Sequence, residues 1–144
     1  MYDINTARIE DRLTHMDRML SAMGQLTQEN GQALTDNPIG LLAMERALHT
    51  CIEAIVDVGN ALIDGFIMRD PGSYADVVEI LRDEKVLTDA QAKQLTEVVE
   101  FRKQLVNEYT QVPVADMVEL VLKSVEMLAQ FAPAVRSYIQ KEIF

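Results

Sequence analysis

Two sets of polar residues have side chains and spacings that are suited to catalysis or ligand binding. The first set lies in "FRKQLVNEYTQV" at residues 101–112. A helix is predicted over residues 88–109, and on a regular wheel five apolar side chains lie within about 60° of Arg102. They are Leu95, Val98, Val99, Leu105 and Val106. A guanidinium keeps its charge when buried, so it needs an acidic partner or a polar cleft. Two interpretations stay open: a structural ion pair with Glu53 or Asp57, or a side chain that faces a cleft.

Two further polar residues, Asn107 and Tyr109, follow Arg102, and their spacing places them on different faces of the predicted helix. On the same wheel Tyr109 lies about 20° from Arg102, so its ring is predicted to line the same strip. Alternatively, Tyr109 is an amphipathic residue at a helix end. Asn107 lies about 140° from Arg102, where it is either a surface residue or a helix terminator. If Asn107 and Arg102 serve one site, either the helix distorts or a second chain supplies one of them.

The second set is a polar stripe on a helix predicted over residues 39–68. Its members recur at alternating spacings of four and three residues: Arg46, Thr50, Glu53, Asp57, Asn60 and Asp64. One interpretation is a solvated face. The other is a groove in which Glu53, Asp57 and Asn60 line a cleft, with the two carboxylates as general bases or cation ligands.

Several kinds of chemistry find no support in the sequence. His15 and His49 stand apart, and no His/Cys cluster has the spacing of metal ligands, so we predict no metal site and no cofactor. There is no Gly-rich phosphate loop and no Ser nucleophile elbow. The single cysteine, Cys51, has apolar neighbours, which indicates a buried, inert thiol.

Composition favours one all-α domain that spans residues 1–144. Hydrophobic residues make up 49% of the chain and aromatic residues only 6%, which suits helix-on-helix packing. The net charge of −10 opposes general affinity for RNA, DNA or anionic membranes, although it leaves room for a small basic site. We find no signal peptide and no apolar run long enough to span a membrane, which predicts a cytoplasmic protein.

Turn signals divide the chain into about five helices in an antiparallel bundle. The first is predicted over residues 4–29 and the second over 39–68. The second is apolar nearly all round, so it is the central helix, a contributor to a subunit interface, or both. Ser73 begins a short third helix, Thr88 begins the fourth, and Pro113 marks the entry to the fifth.

The segment "FRKQLVNEYTQVP", placed near the end of such a chain, resembles the motif region of the HepT-like branch of the HEPN superfamily. The family pattern there is R-x-x-x-x-H-x-Y. The upstream run "CIEAIVDVGNALIDGFIMRDPGSYADVVEILRDEKVLTDAQAKQL" is similar to that branch in its order of helices and turns. The resemblance covers roughly residues 40–125 in layout.

The resemblance implies a small bacterial all-α protein that acts as a metal-independent endoribonuclease. Such proteins are the toxins of toxin–antitoxin pairs. The antitoxin is a small nucleotidyltransferase that attaches AMP to the motif tyrosine. The resemblance also implies a homodimer in which the motifs of both chains face a shared cleft.

The motif transfers to this chain at two of its three positions. Arg102 matches the arginine that would hold the scissile phosphate, and Tyr109 matches the tyrosine that would accept AMP. Asn107 stands where the family has histidine. An amide cannot move a proton, and losing general acid–base help costs about 10²–10⁴-fold in rate. The resemblance therefore predicts weak or absent nuclease activity, unless Glu108, Glu53 or a displaced histidine substitutes.

Two alternative functions remain. One is a non-catalytic homodimeric module that binds a nucleotide or a nucleotidyltransferase partner. The other is a Mg²⁺-dependent all-α nucleotide hydrolase that would use Glu53, Asp57 and Asp64.

Overall fold

The computed structural model describes residues 2–143, without the side chains of residues 30–32, and throughout this range the fold is helical with no β-strand. A 3-10 helix at Gly31–Asp36 follows the first of six α-helices. The α-helices are α1 (Thr6–Asn30), α2 (Pro38–Gly65), α3 (Tyr74–Asp83), α4 (Asp89–Glu100), α5 (Arg102–Val106) and α6 (Val114–Ile143). The predicted all-α fold class is confirmed.

Helix α2 forms the centre of the bundle because apolar side chains cover most of its circumference. It contacts each of the other helices. Residues as closely spaced as Ile52, Ile55, Val56 and Val58 are all buried, so no single face of α2 accounts for its packing. No helix within residues 2–143 combines the length and the hydropathy that a membrane span requires.

Side-chain caps begin three of the helices, and two of these starts, at Ser73 and Thr88, were predicted from the sequence. Asn37 accepts a hydrogen bond from the backbone N–H of Gly40 (3.0 Å) at the start of α2. Ser73 Oγ accepts from the N–H of Asp76 (3.0 Å) at the start of α3. Thr88 and Gln91 form a complete capping box at the start of α4, with distances of 2.9 and 3.2 Å.

The predicted fourth helix is wrong in its extent, because the structure divides it at Phe101. The N–H of Phe101 is shared between the carbonyls of Glu97 and Val98, and its own carbonyl accepts from Gln104 at 3.0 Å. Hydrogen bonds that span three residues instead of four tighten the turn. The side chains of α5 therefore start at a different angle around the helix axis from the one that a regular helix would give. Helix α5 then ends at Val106. A wheel of uniform pitch therefore does not describe residues 102–109.

The second helix ends three residues earlier than predicted, at Gly65. Ile67 adopts a left-handed conformation (φ 57°), and the N–H of Met68 reaches back to the carbonyl of Ile63 at 2.9 Å. This arrangement is a common helix-ending motif, although glycine usually occupies the left-handed position. The turn that follows leads the chain directly into α3.

A glycine in α2 allows α3 to approach closely. A Cβ built on Gly59 would collide with the Cγ1 of Val77, a buried residue one turn into α3. Because a β-branched side chain in a core has little freedom to move, the absence of a side chain at Gly59 determines how near α3 lies. Tyr74, at the start of α3, depends on that spacing.

We expect Gly59→Ala to destabilise the protein by about 1–3 kcal/mol through overpacking against Val77. Gly24 is the matched control, since it also lies inside a helix but has no atom near a built Cβ. Gly24→Ala should raise the free energy of unfolding by up to ~1 kcal/mol. Urea unfolding followed by circular dichroism measures both. Equal effects of the two substitutions would contradict the proposed close contact.

Candidate functional site

The charged side chain at the start of α5 has an acidic partner in the middle of α2. Arg102 Nε donates a hydrogen bond of 2.7 Å to Glu53 Oε1. Of the two acidic partners that the sequence offers, Glu53 and Asp57, the structure selects Glu53. The hydrogen bond raises the pKa of the Arg102 guanidinium, which is charged at any physiological pH.

A tyrosine from α3 contacts the second carboxylate oxygen of Glu53. Tyr74 Oη donates to Glu53 Oε2 at 3.3 Å, and the Cζ of Arg102 lies 4.5 Å from the centre of the Tyr74 ring. The guanidinium is thus attracted both by the carboxylate and by the face of the ring. Burial, followed by the charge of Glu53, raises the pKa of Tyr74, so its hydroxyl stays protonated and acts as the donor.

A histidine lies beside the same carboxylate. His49 is one turn before Glu53 on α2, and its Nε2 is 3.4 Å from Glu53 Oε1. His49 stands alone in the sequence and was not among the residues predicted to line this site. The signal was present in the spacing, since residues four apart on a helix face the same way.

The cluster formed by Arg102, Glu53, Tyr74 and His49 is open to solvent on one side. The side chains of Arg102, Glu53 and His49 are 35%, 34% and 32% exposed. Among the described residues, Arg102 forms its hydrogen bond through Nε alone. Its two terminal nitrogens can therefore donate to a ligand, and a guanidinium donates well to the oxygens of a phosphate.

Three members of the polar stripe, Asp57, Asn60 and Asp64, lie towards α1. Asp57 Oδ2 accepts a hydrogen bond from Arg12 Nε at 3.2 Å and lies 3.8 Å from Arg8 Nη2. Asn60 is exposed and, with Asp57, lines a separate recess of about 240 Å³. The structure therefore brings Glu53 to Arg102 and places Asp57 and Asn60 towards α1.

The remaining motif residues lie beyond the end of α5. Asn107 caps that helix and is exposed, as is Glu108. Tyr109 follows in the turn and is 65% exposed. The prediction that its ring lines the buried strip is wrong, because the helix ends before reaching it. The alternative, an amphipathic residue just past a helix end, describes Tyr109 better.

The described residues offer little for metal or thiol chemistry. Across residues 2–143, no group of three or more His, Cys, Asp and Glu side chains could hold a metal ion. Glu53 and Asp57 each have an arginine partner, so their charges are compensated without a cation. Burial raises the pKa of the Cys51 thiol to about 12, so little of it is thiolate at neutral pH.

Comparisons with known proteins agree with the motif and the fold. The family model Ribonuclease HepT-like matches residues 9–135. YutE of Bacillus subtilis (strain 168), whose name assigns it provisionally to the RNases, is 36% identical over 143 residues. The alignment spans 99% of this chain and 95% of YutE.

Solved structures extend the likeness to three dimensions. The structure of YutE, described as a cytosolic protein of unknown function, gives a TM-score of 0.89 at 37% identity over 99% of this chain and 95% of YutE. A tri-AMPylated HEPN toxin of Shewanella oneidensis in complex with its MNT antitoxin gives a TM-score of 0.81. Its identity is 20%, over 95% of this chain and 99% of the toxin, so it supports the fold alone.

The family model covers most of the chain, and YutE is similar over nearly all of it. The resemblance inferred from "FRKQLVNEYTQVP" is thereby confirmed. The chain belongs to the HepT-like ribonuclease family.

Proposed function

We propose that this protein is a metal-independent endoribonuclease in which Arg102 holds the scissile phosphate. The observation that carries the proposal is the position of Arg102. It is held through Nε by Glu53 and over the ring of Tyr74, beside an opening to solvent. This arrangement leaves the two terminal nitrogens of Arg102 available to a phosphate.

The fixed guanidinium suits a phosphate whose negative charge increases as the reaction proceeds. Donors that are already in place need no reorganisation at the transition state, which is why such groups contribute strongly to rate. Glu53 and Tyr74 hold the guanidinium in place before the substrate binds, because together they restrict both its direction and its plane. Their contribution to catalysis is therefore positional.

Asn107 makes this nuclease slower than a member of the family with histidine at the same position. Its exposed amide can bind a nucleotide through hydrogen bonds, but it cannot take a proton from a 2′-hydroxyl. The acidic net charge of −10 weakens RNA binding further. We therefore propose a modest activity on RNA and none on DNA.

The same proposal includes partners of two kinds. A homodimer would let Arg102 of one subunit and Asn107 of the other face a shared cleft, as the family resemblance implies. The Shewanella oneidensis toxin is in complex with an MNT antitoxin, which supports a nucleotidyltransferase partner for this chain. We propose a cytoplasmic location, since YutE is described as cytosolic.

A second candidate function is a non-catalytic module that a nucleotidyltransferase modifies at Tyr109. The supporting observation is that Tyr109 is 65% exposed in a turn, where an enzyme could reach its hydroxyl. In this reaction the tyrosine oxygen would bond to the α-phosphorus of ATP, pyrophosphate would leave, and the phenolic proton would pass to solvent. The Mg²⁺-dependent hydrolase gains no support, because its carboxylates on α2 form no metal-binding group with any other side chain that the structure describes.

We expect the purified protein to cleave single-stranded RNA slowly in the presence of EDTA. Arg102→Ala should lower kcat/KM by about 10²–10³-fold, the usual loss when one donor to a developing negative charge is removed. Asn107→His should cleave at least as fast as the wild type, because it places a group that transfers protons at the motif position. A fluorescently labelled RNA oligonucleotide provides the measurement.

Arg12→Ala is the matched control for Arg102→Ala, since Arg12 also pairs with a carboxylate of α2. It should leave cleavage unchanged. Equal losses in the two variants would indicate a stability effect instead of a catalytic one. If neither the wild type nor Asn107→His shows activity that Arg102→Ala removes, the cleft is not a nuclease site.

We also expect AMP transfer to Tyr109 when the protein is incubated with ATP and a nucleotidyltransferase encoded beside its gene. Intact mass spectrometry should show added AMP on the wild type and not on Tyr109→Phe. The chain has four tyrosines, so peptide mapping must place the modification at Tyr109. An equal mass increase in Tyr109→Phe would refute the assignment.

A further inference from the structure

A small recess adjoins the Arg102–Glu53 pair. Its volume is about 210 Å³, and most of its wall comes from the first half of α2. The lining side chains are Leu42, Glu45, Arg46, His49 and Leu105. Of these, His49 is also within 3.4 Å of Glu53, so the recess and the ion pair share this one residue.

His49 and Arg102 lie next to the same oxygen atom. Glu53 Oε1 accepts the hydrogen bond from Arg102 Nε at 2.7 Å, and His49 Nε2 lies 3.4 Å from it. The imidazole and the guanidinium are therefore no farther apart than those two distances together. Both of those nitrogens face Glu53, so one RNA linkage would contact the terminal nitrogens of Arg102 through a phosphate oxygen and His49 Nδ1 through the 2′-hydroxyl.

We propose that His49 is the proton-transfer residue of this nuclease, acting from α2 in place of the histidine that the motif has at position 107. The proposal rests on the proposed ribonuclease function. It explains how a chain with Asn107 retains acid–base chemistry beside Arg102. The surrounding charged and titratable groups are Glu45, Arg46 and Glu53 on α2, Tyr74 on α3 and Arg102 on α5.

The reaction balances with a single histidine. Neutral His49 takes the proton of the 2′-hydroxyl, and the 2′-oxygen forms a bond to phosphorus as the bond from phosphorus to the 5′-oxygen breaks. The leaving 5′-oxygen takes a proton from water, and His49 returns its proton to solvent. The products are a 2′,3′-cyclic phosphate and a 5′-hydroxyl. Glu53 stabilises the imidazolium that forms between these steps.

The chain provides a matched control, because it contains only one other histidine, His15 on α1. We expect His49→Gln to lower kcat for a labelled single-stranded RNA by about 10²–10⁴-fold. His15→Gln should change it less than twofold, since roughly that much is ordinary for a surface substitution. The same oligonucleotide made of DNA, which lacks the 2′-hydroxyl, should not be cleaved by any variant.

Two further readouts separate catalysis from structure. The wild-type rate should rise with pH, because a general base accepts a proton only in its neutral form, and His49→Gln should lose that limb of the profile. Adding Asn107→His to His49→Gln should restore cleavage, because it returns a histidine to the motif position. A variant that is merely misfolded would not regain activity in this way.

Three outcomes would overturn the role of His49, and they distinguish it from the ribonuclease function. If the wild type cleaves and Arg102→Ala does not, while His49→Gln keeps the wild-type rate and pH profile, the role of His49 is overturned and the nuclease stands. If the wild type is inert but Asn107→His cleaves, His49 does not supply the proton transfer. If no variant cleaves RNA, the ribonuclease function itself fails, and the role of His49 fails with it.

Discussion

A single carboxylate, that of Glu53, joins the parts of the molecule on which the proposed chemistry depends. One of its oxygens accepts from Arg102 on α5 and lies near His49 on α2, and the other accepts from Tyr74 on α3. Both groups are half-buried, so each loses part of its hydration and gains from the other's charge and hydrogen bond. The result is a cation with a fixed direction at the edge of an apolar bundle.

The rest of the fold places these groups within reach of one another. Helix α2 is central, which allows one of its residues to meet side chains from several neighbours. Gly59 lets α3 approach, and the cap at Ser73 starts α3 so that Tyr74 is its first residue. The tight turn at Phe101 sets the rotation with which Arg102 enters α5. Small backbone features thus determine a geometry that the side chains then maintain.

Much of this organisation could be predicted from residue spacing. Caps at Ser73 and Thr88 start their helices as expected, and a charge within an apolar stripe correctly indicated a partner such as Glu53. The position of Tyr109 could not be predicted, because a helical wheel assumes uniform pitch and the chain departs from it at Phe101. The four-residue spacing of His49 and Glu53 on α2 could have indicated their contact, but the position of His49 beside Arg102 depends on packing between α2 and α5, which local pattern does not give.

Hydrogen exchange of the Arg102 Nε–H, followed by NMR, tests directly whether Glu53 holds the guanidinium in place, because a proton in a stable hydrogen bond exchanges slowly. We expect slow exchange in the wild type, fast exchange in Glu53→Gln, and no change in Asp57→Asn, where the neighbouring carboxylate is altered instead. Equally fast exchange in the wild type and Glu53→Gln would show that Glu53 does not hold Arg102.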